Sequence, residues 1–186
     1  MDYSIRVIRA DEWEKVRELR LAALRDPVAA IAFLETHEDA AGRPDGFWRE
    51  RAEGAAGTGP GRVRQFVAET PDGRWIGTVT VLVERPSDDV RFGERAEVDQ
   101  THLVGVYVRP EARGGGVIDA LFRAAVEWSW ALPEPEIRRV RLYVHEDNVR
   151  AAAFYRRFGF VPSGEKVTMP GSETEFELEY ELPRPA

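Results

Sequence analysis

Ile5 and Val7 alternate with Arg6 and Arg9, a period of two that predicts a short strand over residues 4–10. The period then changes. Trp13, Val16, Leu19 and Leu24 fall at helical spacing behind Asp11, a residue type suited to cap a helix, and Pro27 stops the pattern. Shorter helical pieces follow at 29–36 and 45–51. Residues 54–61, GAAGTGPG, predict a flexible loop without regular structure. Two β-branched, aromatic runs at 62–69 and 75–84 flank Thr70-Pro71-Asp72-Gly73-Arg74, whose Pro, Asp and Gly predict a hairpin turn.

Beyond the charged loop 85–96 the pattern becomes strand then helix, twice. A strand at 98–109 runs through Pro110-Glu111-Ala112-Arg113-Gly114-Gly115-Gly116 into a helix marked by Val117, Leu121, Ala124, Ala125 and Trp128. A strand at 138–144 precedes a helix capped by Asp147 or Asn148, carrying Ala151, Phe154, Tyr155 and Phe158 and stopped by Gly159. Two terminal strands, at 160–167 and 175–182, complete the order. A strand meander combined with two such crossovers predicts an α/β fold: a mixed, mostly antiparallel sheet flanked by helices. No linker or repeat divides the chain, so a single domain over 1–186 is expected.

Composition narrows the chemistry. The chain contains no cysteine, which removes disulfides, thiolate metal sites and cysteine nucleophiles. With no metal-ligand spacing of His and Glu, no metal is expected. A net charge of -7 argues against nucleic acid as a partner. No apolar run reaches the ~20 residues of a membrane span, and the N-terminus lacks a signal pattern, so no membrane partner and a cytoplasmic location are expected.

Three successive glycines between a strand and a helix leave backbone N–H groups uncovered at the positive end of a helix dipole, an arrangement that accepts a pyrophosphate or serves as a plain flexible connection. No Gly-Lys-Ser/Thr follows, which excludes a P-loop. The stretch Val106 to Val117 resembles the acetyl-CoA motif of the Gcn5-related N-acetyltransferase family, in which Arg or Gln is followed by Gly-x-Gly/Ala. The stretch 142–160, LYVHEDNVRAAAFYRRFGF, resembles the second cofactor segment of the same family. With weaker matches at 20–25 and in the central hairpin, the resemblance covers most of the chain.

That resemblance implies acetyl-CoA as co-substrate, held where one strand splays from its neighbour. Backbone groups of the Val106-Tyr107-Val108 segment would pair with the acetyl carbonyl and pantetheine. Main-chain amides of Arg113, Gly114, Gly115, Gly116, Val117, Ile118 and Asp119 would hold the pyrophosphate. Gly105 fits a bulge that begins the splay. Ile118 departs from the family's second Gly or Ala, a change expected to narrow the phosphate approach. Asn148 would bond the pantetheine arm, or else cap its helix.

Acetyl transfer to a primary amine, of pKa ~10, needs a base to free the nitrogen lone pair and an acid for the departing thiolate. Tyr155 matches the family's general acid, and its plain alternative is a core tyrosine. His102, sharing strand parity with Val104, Val106 and Val108, is the candidate base, with a structural histidine as its alternative and Glu97 and Asp99 as substitutes acting through water. His145 reads as a strand-to-helix junction residue and His37 as part of the N-terminal helices. A non-catalytic acyl-CoA sensor or interaction module on the same fold is the competing functional class. The acceptor, small-molecule amine or protein amine, stays open, as does a homodimer.

Overall fold

In the computed structural model, which describes residues 2–186, the alternating runs join one seven-stranded sheet. In chain order its strands are β1 (Ser4–Val7), β2 (Val63–Glu69), β3 (Trp75–Glu84), β4 (Gln100–Val108), β5 (Arg139–His145), β6 (Val161–Thr168) and β7 (Phe176–Pro183). Their spatial order is β1-β2-β3-β4-β5-β7-β6. All neighbours are antiparallel except β4 and β5, so the mixed, mostly antiparallel sheet is as expected.

Helices α1 (Trp13–Leu24), α2 (Ala29–Ala32), α3 (His37–Ala41), α4 (Asp45–Ala55), α5 (Val117–Ala131) and α6 (Val149–Phe158) cover both faces of the sheet. Side chains alternate across a strand, so each face has its own core. Val79, Leu103, Leu142 and Tyr180 pack under Leu121 and Phe122 of α5 and Tyr155 of α6. On the other face Val67, Trp75 and Tyr107 pack under Leu19 of α1 and Trp48 of α4.

Four local expectations are corrected. Residues 54 and 55 are helical rather than loop, because Ala52, Ala55 and Ala56 are buried against α1 and that packing outweighs a glycine penalty of about 1 kcal/mol at Gly54. The helical piece at 29–36 shrinks to the single turn α2. A further turn, α3, forms behind Thr36, whose hydroxyl accepts from Asp39 N at 3.1 Å. Asp11 does not cap α1. Glu12 precedes the helix instead, its carboxylate accepting from Arg9 N at 2.8 Å and from the Arg6 guanidinium at 2.7 and 2.9 Å.

Strands β4 and β5 pair only at Gln100↔Arg139, Thr101↔Val140 and His102↔Arg141. They then part, because β4 remains bound to β3 as far as Val108 while β5 follows β7 as far as His145. From Leu103 onward, the β4 edge turned toward β5 has no ladder partner among the described residues. A bulge lies at this point: Thr78 pairs with Tyr107 and Thr80 with Val104, leaving one extra residue on β4, and Gly105 takes a φ of +62° that favours glycine. The extra residue breaks the parity expected from the sequence. Val106 and Val108 turn to the α5–α6 face, whereas His102 stays on the α1–α4 face.

Candidate active site

At its end β4 passes through a 3₁₀ turn, Pro110–Ala112, into the glycine turn that opens α5. Gly114 and Gly116 adopt φ of +80° and +78°, and a Cβ on Gly114 would meet nothing within 4 Å. Backbone conformation, not crowding, therefore demands glycine here. Gly114, Gly115 and Gly116 are exposed, and the first amides of α5 have no intrahelical acceptor. Asp119 stands in this first turn 3.6 Å from Arg157. Arg113 braces the turn: its guanidinium donates to Val108 O at 2.9 Å and pairs with buried Asp26 just beyond α1. Ile118 packs against the core of the α5–α6 face.

Along the open edge Val106 packs on the α5–α6 core, Tyr107 belongs to the opposite core, and Val108 is buried beside α5. Across the gap Asn148, not Asp147, caps α6, its Oδ1 accepting from Ala151 N at 3.3 Å. Tyr155 stacks on Phe122 with ring centres 5.7 Å apart and lies near Phe160 and Tyr180. Burial first, and the charge of Glu177 second, raise its phenol above the usual range, so it stays protonated, and among the described residues its hydroxyl has no hydrogen-bond partner.

His102 lies on the other face, before the strands part. It is 2% exposed, with Nδ1 3.2 Å from Glu84 Oε2 and its ring 5.5 Å from that of Tyr143. If Nδ1–H donates to Glu84, Nε2 keeps the lone pair. Beside it, Arg141 uses all five guanidinium N–H groups, on Glu84, Glu179, Tyr143 Oη and Glu94 O. Burial alone would raise the Glu84 carboxyl, but His102 and Arg141 outweigh it and hold the group at about 2. Burial likewise pushes the Tyr143 phenol up to about 12. The sheet thus brings His102 into a buried ionic network and Tyr155 into an apolar core, on opposite faces of the parted strands.

Glu177 was missed. Alternation on β7 turns Leu178, Tyr180 and Leu182 to the α5–α6 core and Glu177 and Glu179 to the opposite face. Glu179 is ion-paired, yet Glu177 is 7% exposed with no ion pair among the described residues, and burial raises its carboxyl to about 7. His145 faces it across the ladder, 1% exposed, its Nδ1 accepting from Asp147 N at 3.1 Å and its Nε2 without a hydrogen bond. Glu97 is exposed and Asp99 half-buried at the start of β4. Among the described residues no group of three His, Cys, Asp or Glu is placed to hold a metal ion, and no helix is long and apolar enough to cross a membrane.

A parallel strand pair that opens over a glycine turn defines an acyl-CoA transferase type of fold, and comparison with known proteins agrees. The model of the acetyltransferase (GNAT) family matches residues 13–160, and the chain belongs to that family. It is 39% identical over 95 residues to a mycothiol acetyltransferase of Saccharomonospora viridis, a match spanning 51% of this chain and 29% of that protein. A putative ribosomal protein bS18-alanine N-acetyltransferase of Bacillus subtilis is 34% identical over 67 residues, 36% of this chain and 42% of that protein. The matches thus span less than half the length of these curated relatives. Among solved structures, a phosphinothricin acetyltransferase from Sinorhizobium meliloti in complex with AcCoA superposes with a TM-score of 0.71 at 20% identity, covering 98% of this chain and 89% of that one. Arabidopsis thaliana NAA60 with a bisubstrate analogue gives 0.67 at 18% identity, with 98% of both chains covered.

Proposed function

We propose that this chain is an acetyl-CoA-dependent N-acetyltransferase that acetylates a primary amine by direct attack in a ternary complex. The observation that carries this reading is the parted β4–β5 edge, which has the glycine turn at its far end and the protonated Tyr155 across from it. Pantetheine amides complete the vacant ladder of Val106 to Val108, the side-chain NH₂ of Asn148 donates to the arm, and main-chain amides from Arg113 to Asp119 receive the pyrophosphate. Because Ile118 packs inward, its bulk is compatible with that placement. A single domain and a cytoplasmic setting accompany this reading.

The amine nitrogen attacks the thioester carbon, forming a C–N bond and an oxyanion that a strand N–H such as that of Val106 stabilises. The C–S bond then breaks, and the Tyr155 hydroxyl gives its proton to the leaving sulfur. His102, oriented by Glu84, takes the proton from the amine through Nε2. Glu177 is a second candidate for that base, favoured by an unpaired carboxyl at about 7 whose charge reaches Tyr155. A pH profile separates them. Loss of the true base lowers kcat/KM most near neutrality and recovers as rising pH deprotonates the amine. His102→Gln is expected to show that signature and Glu177→Gln is not. The reverse result transfers the role to Glu177, and an unmoved profile in both variants leaves Glu97, Asp99 or bulk water.

Gly116→Val is expected to weaken acetyl-CoA binding at least tenfold, about 1.4 kcal/mol, because a β-branched residue does not hold a φ of +78°. Calorimetry reads this directly, together with thiol release on an amine panel. Unchanged affinity would move the pyrophosphate off this turn, and binding without thiol release from any amine would favour a sensor.

A further inference from the structure

Behind the bulge, on the α1–α4 face, a small cavity lies between the helices and the sheet. Arg20 of α1 and Arg51 of α4 reach its wall, and Thr78, Thr80 and Gly105 line the sheet side. Its volume of about 20 Å³ exceeds what one water needs and suits one small polar group at the end of a ligand. Gly105 ties the cavity to the open edge, since it lines the cavity from the stretch of β4 that has already left β5.

The charges around this cavity do not cancel. Arg20 donates to Glu35 Oε2 at 3.1 and 3.2 Å, and Arg43 lies 3.8 Å from the same carboxylate. Arg51 is half-buried and has neither a hydrogen bond nor an ion pair among the described residues. Burial first, then the like charge of Arg20, lower its pKa, and Glu35, already hydrogen-bonded to Arg20, offsets only part of this. In a protein of net charge -7, an uncompensated guanidinium kept inside a cavity is a feature that a bound anion would complete.

We propose that the acceptor is a primary amine bearing a carboxylate close to the nitrogen, a free amino acid, and that Arg51, supported by Arg20, receives that carboxylate. This rests on the acetyltransferase reading above. The products are the N-acetyl amino acid and CoA thiol, the amine proton passing to the base and the Tyr155 proton to sulfur. A carboxylate fits the small cavity and the planar fork of a guanidinium. With the carboxylate seated behind Gly105, the adjacent amine lies toward the open edge where the thioester is expected.

The test compares common free amino acids with their α-amides and their decarboxylated amines, by thiol release at saturating acetyl-CoA. At least one amino acid is expected to exceed its amide tenfold or more in kcat/KM. Arg51→Met should raise the KM for that amino acid at least tenfold, leave kcat and acetyl-CoA affinity near wild type, and leave amides unaffected, with Arg51→Lys recovering part of the loss. Because Arg51 holds no hydrogen bond or ion pair among the described residues, its removal should not lower the melting temperature. The proposal is overturned if no amino acid outpaces its amide, or if Arg51→Met changes KM equally for both. Amides or simple amines turned over as efficiently as every free amino acid, with acetyl-CoA bound, would sink this inference alone, whereas loss of acetyl-CoA binding itself would sink the acetyltransferase reading.

Discussion

Tyr155→Phe is expected to lower kcat ~10- to 1000-fold while acetyl-CoA affinity and melting temperature stay close to wild type. The substitution keeps the ring that stacks on Phe122 and packs near Phe160 and Tyr180, and removes only the hydroxyl. Among the described residues that hydroxyl has no hydrogen-bond partner, so none is orphaned by its loss. Steady-state kinetics with calorimetry of acetyl-CoA checks both halves. A fall in kcat below twofold would make Tyr155 a packing residue and return the leaving-group proton to water. A parallel fall in affinity and melting temperature would mean that the ring, not the proton, had been disturbed.

Arg141→Met is expected to destabilise the fold by about 3–5 kcal/mol, the usual consequence of removing one partner from a buried ionic cluster. Arg141 is 1% exposed and its five donors serve two carboxylates, a phenol and a main-chain carbonyl. Without it, half-buried Glu84 and buried Glu179 lose charge compensation, although Arg139 still reaches Glu179 at 2.9 Å. A pH test follows from Glu84, whose carboxyl is held at about 2 against an ordinary 4.5. A carboxylate depressed in this way contributes stability that is full above about pH 4.5 and is lost as pH falls toward 2. In Arg141→Met this acid-side loss should shrink, since Glu84 then gains less from being charged. Denaturant unfolding at pH 7 and pH 4 measures both effects. A cost under about 1 kcal/mol at pH 7 would mean that water already compensates the cluster.

His102 shows how a functional reading changes when the chain is folded. Its parity with Val104, Val106 and Val108 holds along a regular strand, but the extra residue at Gly105 turns Val106 and Val108 to the other face. His102 therefore lies beside Glu84 on the α1–α4 face, on the opposite side of the sheet from Tyr155. Glu177 shows the converse. The string Glu175-Phe176-Glu177-Leu178-Glu179-Tyr180-Glu181 reads as a strand with one wet face, and an acid on a wet face suggests no chemistry. Only the order β5-β7-β6 puts β7 inside the sheet and buries Glu177 beside His145.

What the sequence by itself determined is local in origin. Hydrophobic period placed the seven strands and the main helices, because side-chain direction follows the backbone period residue by residue. The glycine turn was legible for the same reason, since a φ of +78° at Gly116 involves only neighbouring residues, and the cap of α6 was narrowed to Asp147 or Asn148, of which the Oδ1 bond to Ala151 N selects Asn148. The extension of α4 through Gly54, the reversal of parity at Gly105, the burial of Glu177 and the meeting of Arg20 with Arg51 near Gly105 were decided by tertiary structure. Each depends on partners far away in the chain. Desolvation and charge compensation are properties of what surrounds a group in space, and no spacing along the sequence encodes them.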